Sequence, residues 1–412
     1  MSLQIKPILV ALRRHKAGTV LIALQIALTL AIVCNALFII QQRLANLSER
    51  SGVDEADVFV ITNQWAVDRS TQQVDAQVRA DLIALRQLPS VRDASPTSGY
   101  PLQGGGWDNF VTMTPDQVKP TTDSAVYMGD EHLLDTLGLR LVAGRNFLPG
   151  EILVMGTQQV VYPPIVIVSK ALADRLFPDG SALGKSFYAM SATPTTIIGI
   201  VDSLHRQGAD QWNKAYAGQS LIWPVRADDA RGIFYVVRAR PGQLAAAMHE
   251  AEKALFAQSR MRIISPKDGV LDYAQIRHRV FDSDRGMAIL MGIISVVLLA
   301  ITAAGIVGLT SFWVGERRKQ IGVRRALGAT RHDILSYFLT ENFLIGVGGV
   351  VGGVVLALAL NLWMVTRFEM ARLSPGFVGI GVVVLLLLGQ GAVLAPALRA
   401  SRVSPVEATR SV

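Results

Sequence analysis

The stretch Gly180-Ser-Ala-Leu-Gly184-Lys185-Ser186 is the part of this chain that most resembles a phosphate-binding loop. Such a loop needs a glycine, four residues and then Gly-Lys-Ser/Thr, so that backbone N–H groups and a lysine surround the phosphates. Here Asp179 stands at the first glycine position, and Gly180 leaves the spacing one residue short. The segment reads as a turn between a helix and a strand. The chain is expected to hydrolyse no nucleotide itself. Its six histidines, at 15, 132, 205, 249, 278 and 332, are scattered, with no H-E-x-x-H and no paired Cys/His spacing. No G-x-S-x-G elbow is present. Cys34, the single cysteine, lies deep in an apolar run and reads as a small apolar residue. No catalytic, metal-binding or cofactor-binding residue is expected. Gly104-Gly105-Gly106, followed by Trp107-Asp108, reads as a flexible loop with an exposed aromatic, either an ordinary surface loop or a contact loop.

Four apolar runs frame these residues: Thr19 to Ile40, Gly286 to Val314, Phe343 to Met364 and Phe377 to Leu398. Each can cross a hydrocarbon core of about 30 Å, which takes about 20 helical residues. In lipid an unpaired backbone group costs several kcal/mol, so such runs must be helical. Between Arg43 and Asp284 the net charge is −3, while the rest of the chain carries +11. The cations flank the apolar runs: Lys6, Arg13, Arg14 and Lys16 before the first; Arg317, Arg318, Lys319, Arg324, Arg325 and Arg331 between the second and third; Arg399, Arg402 and Arg410 after the fourth. Short loops rich in Lys and Arg stay cytoplasmic. All three basic segments are cytoplasmic together only if both termini lie inside and residues 43–284 lie outside. These flanks lack aromatic platforms, so no nucleic-acid partner is expected.

The expected layout follows. Residues 1–18 form an interfacial cytoplasmic helix that would rest on membrane lipid. Membrane helices cover 19–42, 285–314, 343–365 and 377–398. The outer domain with its stalk ends is 43–284, a cytoplasmic segment is 315–342, a short outer loop is 366–376 and a cytoplasmic tail is 399–412. The first run exceeds the 7–15 apolar residues of a signal peptide, and no A-x-A site follows it, so it is read as uncleaved. Gly348, Gly349, Gly352 and Gly353 make two overlapping G-x-x-x-G pairs, a face for close helix packing within the chain or across a dimer. Gln25, Asn35, Asn361 and Gln390 are polar but uncharged, which argues against an ion or proton relay.

The outer domain reads as α+β. Strands are predicted over Val58–Thr62, Ser124–Met128, Ile165–Ser169, Thr196–Val201, Leu221–Val225 and Ile233–Arg238. Helices are predicted over Gln72–Leu88, Glu131–Leu137, Lys170–Phe177 and Leu244–Ser259. Asp268–Asp284 reads as a polar helix running straight into the second membrane helix, and Arg43–Arg50 as an extension of the first. Together they would form a stalk. With no disulfide available, the domain must be held by its core.

The segment after the second run reads Glu316-Arg-Arg-Lys-Gln-Ile-Gly-Val-Arg-Arg-Ala-Leu-Gly-Ala-Thr330, then Ile334, Phe338, Leu339 and Glu341. It places apolar residues among cations, with Gly328 as a break. This segment resembles the signature of the FtsX/MacB permease superfamily, the membrane subunits of type VII ABC transporters. Pro396-Ala-Leu-Arg-Ala-Ser-Arg-Val-Ser-Pro405-Val-Glu-Ala-Thr-Arg410 is similar to that family's terminal motif. Leu141–Phe147, Val166–Tyr188 and Ile197–Val201 resemble the MacB-type periplasmic domain.

The resemblance implies an FtsX-like permease domain over 285–405. It implies a coupling element docking on an ATPase, carried by Glu316, Arg317, Arg318, Ile321, Gly322, Arg324, Arg325, Ala326, Leu327 and Gly328. MacB carries its ATPase before its first membrane helix; here 18 residues precede that helix, without a Walker A. The split arrangement is therefore implied, with ATP and Mg bound by a separate ABC ATPase in two copies. A second permease copy, identical or paralogous, and a periplasmic adaptor are the other implied partners, at the cell inner membrane. The implied function is export of antibiotics, peptides or toxins by mechanotransmission. A lipoprotein-releasing or cell-wall-regulating permease is the alternative. A membrane receptor would need a cytoplasmic signalling domain, and a membrane hydrolase a catalytic constellation; neither is found.

Overall fold

A computed structural model describes residues 16–47, 50–156, 160–180, 182–208, 216–228, 231–368 and 372–403. The interfacial helix expected over 1–18 therefore lies almost wholly outside the described residues, as does the tail motif beyond Val403. In chain order the elements are α1 (Lys16–Leu47), β1 (Val58–Trp65), α2 (Thr71–Arg86), β2 (Val91–Thr97), β3 (Trp107–Thr112), β4 (Thr122–Gly129), α3 (Leu133–Leu137), β5 (Leu141–Gly144), β6 (Leu153–Gly156), β7 (Ile165–Ser169), α4 (Lys170–Leu176), β8 (Ser186–Ala189), β9 (Thr195–Val201), β10 (Ser220–Asp228), β11 (Gly232–Ala239), α5 (Leu244–Gln258), β12 (Arg262–Ile263), β13 (Val270–Asp272), α6 (Tyr273–Val280), α7 (Asp282–Glu316), α8 (Arg318–Ala326), α9 (Arg331–Phe368) and α10 (Pro375–Ser401). They fall into two units, residues 1–45 with 283–412, and residues 46–282.

In the first unit α1, α7, α9 and α10 are each long and apolar enough to cross a membrane. Of the four, α1 has the largest buried share, and the others approach it through small residues. A Cβ on Gly349 would lie 2.8 Å from the Ala23 carbonyl oxygen, and one on Gly353 2.8 Å from Leu30 Cβ. One on Gly381 of α10 would lie 2.4 Å from Cys34 Sγ. Two members of the glycine face thus pack within the chain. Gly352 faces Ala27 at ordinary contact distance, and Gly348 faces open space. The uncharged polar residues join helices. Thr29 and Thr302 hydroxyls bond at 2.8 Å, Gln25 Nε2 donates to the Ile301 carbonyl, and Asn35 Nδ2 donates to the Ala31 and Ala357 carbonyls. In an apolar medium such bonds satisfy groups that lipid cannot.

The second unit is α+β, with thirteen strands in one hydrogen-bonded network among the described residues. Strands β4, β3, β8, β9, β7 and β10 pair in succession, and β10 pairs back to β4, closing a six-stranded ring. The remaining part centres on β1, paired with β11, β12 and β13, while β2 lies beside β11. Period-two alternation sorts the side chains. Val58, Val60, Tyr127, Ile167, Ile222 and Val236 share one core. Phe59, Ile61, Tyr235 and Val237 turn to a second core under α2 and α5. Val126, Met128, Val166, Val168, Leu221 and Trp223 fill a third under α4.

One expectation is corrected. The polar helix expected from Asp268 to Asp284 is not continuous. Val270–Asp272 pairs with β1, the Asp272 carboxylate accepts the Gln275 N–H at 2.7 Å to start α6, and α6 ends before Phe281. Phe281, 2% exposed in the first core, caps α6 there. The helix that carries the third apolar run begins at Arg331, ahead of the span expected over 343–365, and runs 38 residues, about 57 Å at 1.5 Å per residue.

Candidate functional site

The segment between α7 and α9 folds as a helical hairpin. Helix α8 is followed by Leu327 and by Gly328 at φ +98°, a left-handed position that favours glycine. Thr330 then starts α9: its Oγ1 accepts the Asp333 N–H at 3.2 Å, while Asp333 Oδ2 accepts both the N–H and the hydroxyl of Thr330. The hairpin brings α8 back onto the first turns of α9. Ile321 is buried with Ile334 and Phe338, and Gly322 is buried beside it.

Two cations fasten the pair. Arg317 Nη1 donates to Glu341 Oε1 at 3.0 Å and Oε2 at 2.9 Å, and the two side chains are 11% and 3% exposed. The Arg324 guanidinium lies 5.0 Å from the Tyr337 ring centre. The opposite face is open: Leu327 is 83% exposed and Val323 50%. Glu316, Arg318, Ala326 and Gly328 are exposed as well, and Arg325 is half-buried. The expected coupling residues therefore divide. Arg317, Ile321 and Gly322 face into the permease, Arg324 joins the two helices, and Leu327 leads an exposed apolar edge among cations. Sequence spacing gave no sign of the Arg317–Glu341 pair, because a helix break separates its members.

The segment that resembled a phosphate loop is a turn between α4 and β8. Its N–H groups are spent on the protein: Gly180 donates to the Phe177 carbonyl, Gly184 to Ile197 and Lys185 to Ala182. Lys185 Nζ pairs with Asp179 at 3.2 Å and sits 4.7 Å from the Phe177 ring centre. Among the described residues no group of three metal-ligating side chains occurs.

The glycine loop is built rather than loose. Gln207, 2% exposed, donates from Nε2 to the Val126 carbonyl at 2.8 Å, and its Oε1 accepts the Trp107 N–H at 3.0 Å. Gly104, at φ +98°, donates its N–H to the Gln207 carbonyl. A Cβ on Gly106 would overlap Gln207 Oε1, so a side chain there would displace Gln207. The loop thus holds Trp107, 45% exposed, at the edge of a cavity of about 420 Å³.

Among the described residues, four helices long and apolar enough to cross a membrane, an α+β extracytoplasmic domain between the first two and a basic helical hairpin between the second and third define an ABC-transporter permease of the FtsX/MacB type. Residues 19–254 match the MacB-like periplasmic core domain and residues 292–405 the FtsX-like permease C-terminal region. The chain belongs to this family, and it is an inner-membrane protein. It is 26% identical to the macrolide export ATP-binding/permease protein MacB 1/2 of Paracoccus denitrificans, over 97% of this chain and 57% of that protein. It is 28% identical to the uncharacterized ABC transporter permease YvrN of Bacillus subtilis, over 69% of each. The chain spans about half the length of the MacB relatives it matches. The crystal structure of the periplasmic region of MacB from Actinobacillus actinomycetemcomitans covers 57% of this chain and 97% of that region, at 13% identity and a TM-score of 0.33.

Proposed function

We propose that this chain is the membrane subunit of a MacB-like exporter, working with a separate cytoplasmic ABC ATPase. The α8 hairpin carries the reading. It is joined to α9 by a buried ion pair and an aromatic–cation contact, and it leaves Leu327 bare among cations. An apolar side chain there gains about 1.5–3 kcal/mol if a partner covers it. Two ATPase subunits binding ATP and Mg would close and push the hairpins of two permease copies. Because α8 is fastened to α9, the push enters the bilayer as movement of a whole helix. The extracytoplasmic domains then move cargo already outside the inner membrane, toward a periplasmic adaptor. The Lys and Arg clusters flanking the apolar runs support an orientation with both termini in the cytoplasm.

The test is purification of the native complex with every bound chain identified. An ABC ATPase and a second permease copy are expected, and the pure chain alone should hydrolyse no ATP. Hydrolysis by the pure chain, lost on Lys185→Ala, would refute the division of labour.

A further inference from the structure

We propose that the cavity beside Trp107 is a binding site for a compact apolar molecule carrying a flat ring. Its apolar wall is formed by Trp107, Val160, Ile233 and Phe234 over a floor of Met128 and Met155, with Thr97, Ser98 and Arg231 on its polar side, contributed by both parts of the outer domain. The volume, about 420 Å³, lies within the roughly 300–1,000 Å³ of small-molecule sites. That is too small for a folded partner.

Each wall has a reason to be where it is. Trp107 leaves nearly half its surface open, yet its backbone is fixed by buried Gln207, and Gly106 is stripped of a side chain to allow that contact. Trp107 is thus held in place with its ring partly open to the cavity. Met128 and Met155, 1% and 6% exposed, belong to the third core and close the floor of the cavity. The Phe234 ring is held edge-on by Tyr100, with ring centres 5.5 Å apart. Ser98 keeps the Met128 end in place by accepting its N–H at 3.1 Å. The three-glycine loop, unused by the coupling machinery, thereby gains a role as the mount of an aromatic wall.

That this site seats export cargo rests on the function proposed above; its occupancy does not. The full-length chain in lipid nanodiscs, without ATPase or nucleotide, is photolabelled with an aryl trifluoromethyl diazirine and mapped by peptide mass spectrometry. Peptides carrying Trp107, Met128, Met155 or Phe234 are expected to label saturably. The membrane helices should label in proportion to probe, which serves as the control for an intact fold. Trp107→Ala should raise the half-saturating concentration about tenfold, the effect of losing one aromatic surface. Gly106→Ala, which drives Gln207 from its seat without touching the wall, should shift it in the same direction. Labelling confined to the membrane helices, or cleft labelling that is linear in probe or indifferent to both substitutions, overturns the proposal. Loss of the ATPase partnership would leave labelling unchanged, so the two ideas fail separately.

Discussion

Arg317 and Glu341 show what a single pair contributes. Both are buried, and the carboxylate accepts two bonds from one guanidinium nitrogen. Removing one member strands the other charge out of water, which costs about 3–5 kcal/mol, whereas replacing both with apolar residues is often neutral. Arg317→Ala should therefore lower the thermal midpoint of the detergent-solubilised chain sharply, and the double variant Arg317→Met with Glu341→Leu should recover most of it. Equal losses in single and double variants would contradict a buried pair. His132 offers a pH signature. Its ring bonds Asp93, and that bond raises its pKa above the usual histidine value, against an opposing effect of burial. A raised folded pKa adds stability below the unfolded value, lost as pH rises through the folded one. The stability gap between the native chain and His132→Asn should thus be wider near about pH 5 than near about pH 9. A gap that does not change with pH would show that folding does not shift this histidine's pKa. The sequence marked Arg317 and Glu341 as parts of one motif, but not as partners. Gln207, under the glycine loop, lies far along the chain from it, and nothing in local spacing ties them together.

At the scale of elements, periodicity carried the long helices and the buried strands. Ile165–Ser169 stands where its unbroken β-branched run puts it, and the capping of α2 by Ser70 and Gln73 matches the helix expected there. Strands such as Val91–Thr97 and Trp107–Thr112 were not legible. The first contains Pro96, the second has three exposed positions, and both are strands because of their neighbours. The glycine face of α9 was legible as a packing surface but not its partner, since G-x-x-x-G serves inner and outer contacts alike. The structure makes a graded prediction. Gly353→Leu should press into Leu30 and lower the yield of folded protein, with overpacking costs of about 1–3 kcal/mol or more. Gly348→Leu, which meets open space, should be tolerated unless a second copy packs there. If both variants fold and associate normally, the α1–α9 contact is not a tight one.

For the whole molecule, charge and hydropathy were enough to order the chain, because lipid enforces its rules over twenty residues at a time. Orientation is testable by accessibility. A cysteine replacing Thr193, exposed in the outer domain, should react with an impermeant maleimide on spheroplasts; one replacing Leu327 should react only after permeabilisation. The reverse pattern would invert the molecule. The central claim is that the exposed edge of the α8 hairpin receives the work of an ATPase. A charge there would be buried unpaired in the contact, which is strongly unfavourable, while in the free chain it would face water. The most direct measurement is co-purification of the ATPase with the Leu327→Glu chain, together with transport by the reconstituted complex. The account predicts a chain that inserts and folds as before but loses its ATPase or uncouples hydrolysis from transport. Intact binding and transport would contradict it and leave the hairpin as a topology signal only.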